Sequence, residues 1–128
     1  MMTLRKVLII DDEILIRKTT ALLLKKLNID AVTAANGMDG IAMAKAEKPD
    51  YILLDVSMPA MDGWSVLERL KADDNFNKIP VVMFTAGDFS LSDKLAAEKG
   101  AAAVCRKPFQ PHELLKILDD LNKEAGHA

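Results

Sequence analysis

One cysteine in 128 residues, Cys105, leaves no partner for an internal disulfide and fits a reducing compartment, where a lone buried thiol behaves as a small hydrophobe. Long apolar runs are missing as well. The opening Met1-Met2-Thr3-Leu4-Arg5-Lys6 leads into an apolar segment that is cut at Asp11, too short for a secretion signal or a membrane span. There is no Pro/Gly/Ser-rich linker, no low-complexity tract and no repeat beyond an alternation of short and long segments. Positive charge is not in excess: 17 Lys and Arg stand against 19 Asp and Glu, a net charge of -2. The basic pairs Arg17-Lys18, Lys25-Lys26 and Arg106-Lys107 are scattered among acids, so no stripe points to nucleic acid. These absences predict a soluble, cytoplasmic protein with neither nucleic acid nor a membrane as partner. What remains is half apolar and 28% charged, which suits one domain over residues 1–124 with a short polar tail, 125–128.

Short β-branched or aliphatic runs alternate with segments of helical period, the pattern of a parallel sheet with helices on both faces. Strands are predicted at Lys6 to Ile10, Ala31 to Ala34, Tyr51 to Leu54, Pro80 to Phe84 and Ala102 to Cys105. The first, third and fourth are nearly continuous apolar runs and should be central. Helices are predicted at Glu13 to Leu27, Met38 to Ala46, Gly63 to Ala72, Ser90 to Lys99 and Pro111 to Lys123. In the last, Leu114, Ile117, Leu118 and Leu121 fall on one face, and Pro111 suits the first turn.

Two of these strands run into carboxylates: Val7-Leu8-Ile9-Ile10 into Asp11-Asp12-Glu13, and Tyr51-Ile52-Leu53-Leu54 into Asp55. In open α/β sheets ligands bind outside the carboxyl ends of the strands. Any one of Asp11, Asp12 or Glu13 could simply cap the first helix. That reading leaves Asp55 unexplained, because a further carboxylate at the same edge raises pKa values or costs stability unless a cation resides there. A bound cation and a phosphoryl group account for all of them together. Asp62-Gly63 reads as a turn or an N-cap, and His112 and His127 as solvated side chains.

The segments Val7 to Glu13, Asp55-Val56-Ser57-Met58-Pro59-Ala60-Met61-Asp62-Gly63, Ile79 to Ala86, Gly100-Ala101-Ala102 and Lys107-Pro108-Phe109 match, in order and spacing, those of a known family. The chain resembles a receiver domain of a two-component response regulator, of the stand-alone chemotaxis type. The resemblance implies a flavodoxin-like (βα)5 fold with strand order 2-1-3-4-5 and Asp55 as phosphoacceptor. An Asp carboxylate can act as nucleophile toward phosphorus, but two anions repel, so cations must be supplied. Mg2+ takes hard oxygen ligands and keeps several waters. Asp12 and Asp55 would bind it directly and Asp11 through water, while the resemblance adds the backbone carbonyl of Ser57. Lys107 would bring a compact ammonium to a phosphoryl oxygen, and Thr85 a hydroxyl.

The family couples that Thr to an aromatic ring three residues before the Lys. Here Val104 stands at that position, so no ring can swing, and the switch is expected in the loop Thr85-Ala86-Gly87 and the helix after it. The family often has a cis peptide at Lys107-Pro108. A haloacid dehalogenase-like phosphatase would carry a second Asp where Ser57 stands, and a flavodoxin-like flavin binder would need a phosphate cradle where Asp11-Asp12-Glu13 would repel one. A pseudo-receiver is discounted by Asp11, Asp12, Asp55, Thr85 and Lys107 all being present. A phosphohistidine on a sensor kinase or phosphotransfer protein is the implied donor, approaching beside the first helix. A downstream protein would bind the face from 90 to 123. No residues are left over for an effector domain, although a piece of a longer protein is equally compatible.

Overall fold

A computed structural model describes residues 5–85, 93–107 and 109–124. Strands and helices alternate along the chain: β1 (Arg5–Ile10), α1 (Ile14–Lys26), β2 (Ile29–Ala34), α2 (Gly37–Glu47), β3 (Tyr51–Asp55), α3 (Gly63–Ala72), β4 (Val81–Thr85), α4 (Asp93–Glu98), β5 (Ala103–Arg106) and α5 (Pro111–Glu124). The five strands form one parallel sheet in the order β2-β1-β3-β4-β5, as the family resemblance implies.

Alternation along each strand divides the core into two layers. Val7, Ile9, Tyr51, Leu53, Val82, Phe84 and Cys105 face Leu24 of α1 and Leu114, Leu118 and Leu121 of α5. On the other face Leu8, Ile10, Ile52, Leu54, Val81 and Met83 meet Ala44 of α2, Val66, Leu67 and Leu70 of α3, and Ala96 of α4. Every residue of β3 and β4 is buried, so continuous apolar runs identified the centre of the sheet correctly. Cys105 is a core hydrophobe: burial, with a smaller push from Glu113, raises its thiol to about 11.

Element ends differ by small, explicable amounts. β2 starts at Ile29 because Asn28 turns the chain in the left-handed region (φ 62°) and Ile29 is then in register with Arg5. β3, β4 and β5 each extend one residue further than their apolar runs, to Asp55, Thr85 and Arg106, so polar residues complete the strands at their carboxyl ends. α3 spans the predicted residues, its start fixed by Asp62, whose side chain accepts from the Ser65 N–H at 2.9 Å. Residues Ser90 to Ser92 of the predicted fourth helix, the Ala86-Gly87 part of the switch loop, Pro108 with its peptide isomer and the tail 125–128 lie outside the described residues.

Candidate functional site

Parallel register carries the polar strand ends to one rim. Ile10 pairs with Leu54, which sets Asp11 beside Asp55, and Asp55 pairs with Phe84, immediately before Thr85. Backbone hydrogen bonds continue the ladder past the strand ends. Asp11 N–H donates to Ala34 O at 3.1 Å, Val56 N–H to Phe84 O at 2.9 Å and Lys107 N–H to Thr85 O at 2.8 Å. Asp11, Val56 and Lys107 are therefore bonded into the same ladder as the strands they follow.

Lys107 is the hub of the rim. Its side chain is 8% exposed, and Nζ lies 2.7 Å from Asp11 Oδ2, 3.3 Å from Asp55 Oδ1 and 3.5 Å from Glu13 Oε1. Burial alone would lower this ammonium, but the hydrogen bond and charge of Asp11, with Asp55 behind them, outweigh it and hold Lys107 above the usual lysine value. One cation does not balance the acids around it. Burial first, then the charge of Asp11, push the Asp55 carboxyl up to about 6 against the opposing pull of Lys107 and of the Ser57 N–H, with Asp12 adding a smaller upward push.

Carboxylate oxygens of Asp11, Asp12, Glu13 and Asp55 all lie within 4.8 Å of one another, a donor set of hard oxygens suited to a divalent cation. Asp11 and Asp55 are buried, whereas Asp12 and Glu13 are exposed at the mouth. Both oxygens of Asp11 are already engaged, Oδ1 by the Glu13 N–H at 2.9 Å and Oδ2 by Lys107. The capping alternative fails for Glu13, whereas Asp11 serves the helix start through the Glu13 N–H. Glu13 occupies the N-cap of α1 without a side-chain capping bond, and the first turn holds no acid.

The structure gathers Asp11, Asp12, Asp55 and Lys107 directly. Ser57 approaches through its N–H, which donates to Asp55 Oδ1 at 3.2 Å. Thr85 is buried at the end of β4, in line with Val81 and Met83, and is tied to Lys107 through its own carbonyl. Val104 is half-buried against the layer that holds Ala96 of α4. His112 is exposed, as expected.

Two participants escaped the sequence reading, and a third, Glu13, was placed in the acidic run without a role of its own. Glu13 joins the acid cluster rather than capping α1; its place in an unbroken acidic run was the available signal. Arg17 is more than a solvated charge, because Nη1 donates to Asp11 O at 2.8 Å. Gly63 opens α3, but a Cβ there would collide with the backbone carbonyl of Asp55, so the glycine lets α3 start directly beneath that residue.

The response regulator receiver domain family matches residues 7–119. Protein PilG of Pseudomonas aeruginosa is 37% identical over 111 residues, covering 86% of this chain and 82% of that protein. A probable transcriptional regulator, ycf27 of Cyanophora paradoxa, is 38% identical over 112 residues. That match takes in 86% of this chain but 45% of the regulator, so the chain spans less than half of that relative's length. Among solved structures, the chemotaxis protein CheY4 of Vibrio cholerae superposes with a TM-score of 0.84 at 31% identity, over 92% of this chain and 98% of that one.

Proposed function

The chain belongs to the response regulator receiver domain family, whose business is phosphorelay signalling and not classical enzyme turnover, and on that premise we propose that Asp55 accepts a phosphoryl group with the help of Mg2+. The observation that carries this is the Lys107 ammonium, buried at the rim and shared by Asp11, Asp55 and Glu13. A buried cation so placed can follow charge from the carboxylates to an incoming phosphoryl oxygen without crossing water.

In the proposed reaction an Asp55 carboxylate oxygen attacks phosphorus of a phosphohistidine. The new O–P bond forms as the P–N bond breaks, and the departing imidazole takes up a proton from solvent. Bound magnesium would supply positive charge at the phosphoryl oxygens. Asp12 and Asp55 would hold it directly, together with the Ser57 carbonyl. Asp11, whose two oxygens are spoken for by Glu13 N–H and Lys107, would act through water. Lys107 neutralises the transferred group, and the Thr85 hydroxyl donates to one of its oxygens. The same groups assist hydrolysis of the aspartyl phosphate when water enters the mouth.

The donor is a sensor histidine kinase or a histidine phosphotransfer protein acting in the cytoplasm. Its approach beside α1 is supported by three apolar side chains left in solvent there, Ile14 at 58%, Leu15 at 69% and Leu22 at 55% exposure. No helix among the described residues is long and apolar enough to cross a membrane. Output passes to a downstream protein through the face from 90 to 123, with Val104 in place of a swinging ring.

Incubation with acetyl phosphate and MgCl2 tests the acceptor. Wild type gains one acid-stable, base-labile phosphoryl group, and Asp55→Asn gains none. Label at undiminished stoichiometry in Asp55→Asn would mean that another residue is the nucleophile.

A further inference from the structure

The peptide joining Asp11 to Asp12 is gripped from outside the acid cluster. Arg17, one turn into α1, donates from Nη1 to the Asp11 carbonyl at 2.8 Å. The other polar atoms of Asp11 are engaged too: its N–H by Ala34 O, Oδ1 by the Glu13 N–H and Oδ2 by Lys107. Asp12 is different. Its carboxylate stands exposed at the mouth and interacts with Asp55, and its Cα–Cβ bond projects from this peptide. Rotation of the Asp11–Asp12 peptide plane would swing the Asp12 Cα–Cβ bond with it.

We propose that Arg17 is a positioning residue for divalent-cation binding: by holding the Asp11 carbonyl it fixes the peptide whose far end carries Asp12, and so keeps the Asp12 carboxylate within reach of Asp55. This role presupposes the magnesium reading of the rim.

Charge alone works in the opposite direction. A guanidinium beside the rim repels a divalent cation, so if Arg17 acted through its charge its removal would tighten Mg2+ binding. If Arg17 served only the packing of α1, removal would lower stability and leave the affinity of the folded protein unchanged. Positioning is the role that predicts a loss, because partners that orient metal ligands are worth about ten- to a hundredfold in affinity. The Arg17 side chain also lines a groove at the end of β2, beside Ala42 and Met43 of α2, so methionine is the apt replacement. It retains an aliphatic body and removes the donor.

Titration calorimetry with MgCl2 on the full chain tests this, comparing wild type with Arg17→Met and Lys18→Met. Lys18 is an exposed neighbour, so its replacement makes the same charge change away from the loop. Arg17→Met is expected to bind Mg2+ about tenfold more weakly. Lys18→Met should bind as wild type does, or slightly more tightly. Arg17→Met binding as well as wild type or better would overturn the positioning role while leaving the magnesium site standing; a wild type that takes up no Mg2+ would overturn both. Should Arg17→Met fail to fold, Arg17→Leu takes its place, since it also keeps an aliphatic body and removes the donor, with the same expected loss of about tenfold. Equal binding by that variant would count against the proposal in the same way.

Discussion

Asp55 is a carboxylate held where a carboxylate is least comfortable, 4% exposed and beside Asp11. Its ordinary value of 3.8 rises to about 6, so over that interval the folded protein retains a proton that the unfolded chain has lost. Through this group folding binds protons in the window, and the Asp55 contribution to stability falls as pH rises from about 4 to about 6. The full cost, of the order of 3 kcal/mol for a shift of this size, is present at neutral pH. In metal-free buffer Asp55→Asn should be the more stable protein at pH 7, with an advantage that shrinks as pH drops toward 4. Urea denaturation of both proteins across this range measures it, and a stability difference that ignores pH would count against the assignment. Added MgCl2 should erase most of the advantage, because a cation among the acids removes the repulsion that Asn avoids.

At the scale of the elements, the site depends on how close α3 comes to the end of β3. Gly63 N–H donates to Val56 O at 2.8 Å, and the absent side chain is what admits the Asp55 carbonyl. Gly63→Ala must push α3 away or tilt the Asp55 peptide, at a cost of about 1–3 kcal/mol typical of an overfilled core. Urea denaturation should show that loss, and labelling by acetyl phosphate should slow at the same time. A destabilised variant that labels at the wild-type rate would separate the glycine from the acceptor.

These features also mark what the residue string could and could not show. Unbroken apolar runs at Val7 to Ile10, Tyr51 to Leu54 and Val81 to Phe84 disclosed the buried strands, and their polar ends disclosed the rim. Asp62 was legible as a cap because capping is local. The Gly63 contact was not, since it depends on how a helix start meets a strand end, and the Arg17 bond was not, since helical spacing does not say which way an arginine folds back. Glu13 was visible as an acid, but its distance to Lys107 belongs to the folded chain. Roles carried by the resemblance, those of Ser57 and Thr85 above all, come from motif positions and not from periodicity.

For the molecule as a whole, two apolar layers hold a rim built from strand ends, so packing and chemistry are separable. Leu114 is fully buried in the layer beneath α5 and contributes no polar group to the rim. Leu114→Ala should cost about 2–5 kcal/mol by leaving a cavity. Thermal unfolding would register this, yet below the lowered transition Asp55 should label as in wild type. Loss of labelling in a folded Leu114→Ala protein would show that the rim is not an independent consequence of the sheet.

The pairing of Lys107 with Asp11 joins residues 96 positions apart. During synthesis the acidic end of the first strand leaves the ribosome long before its counter-ion has been translated. Until then the nascent chain carries Asp11, Asp12 and Glu13 without the ammonium that later pairs with Asp11, and a contact of such long range carries a large loop-closure cost. The rim is accordingly complete only once β5 has paired with β4, because Lys107 directly follows that strand.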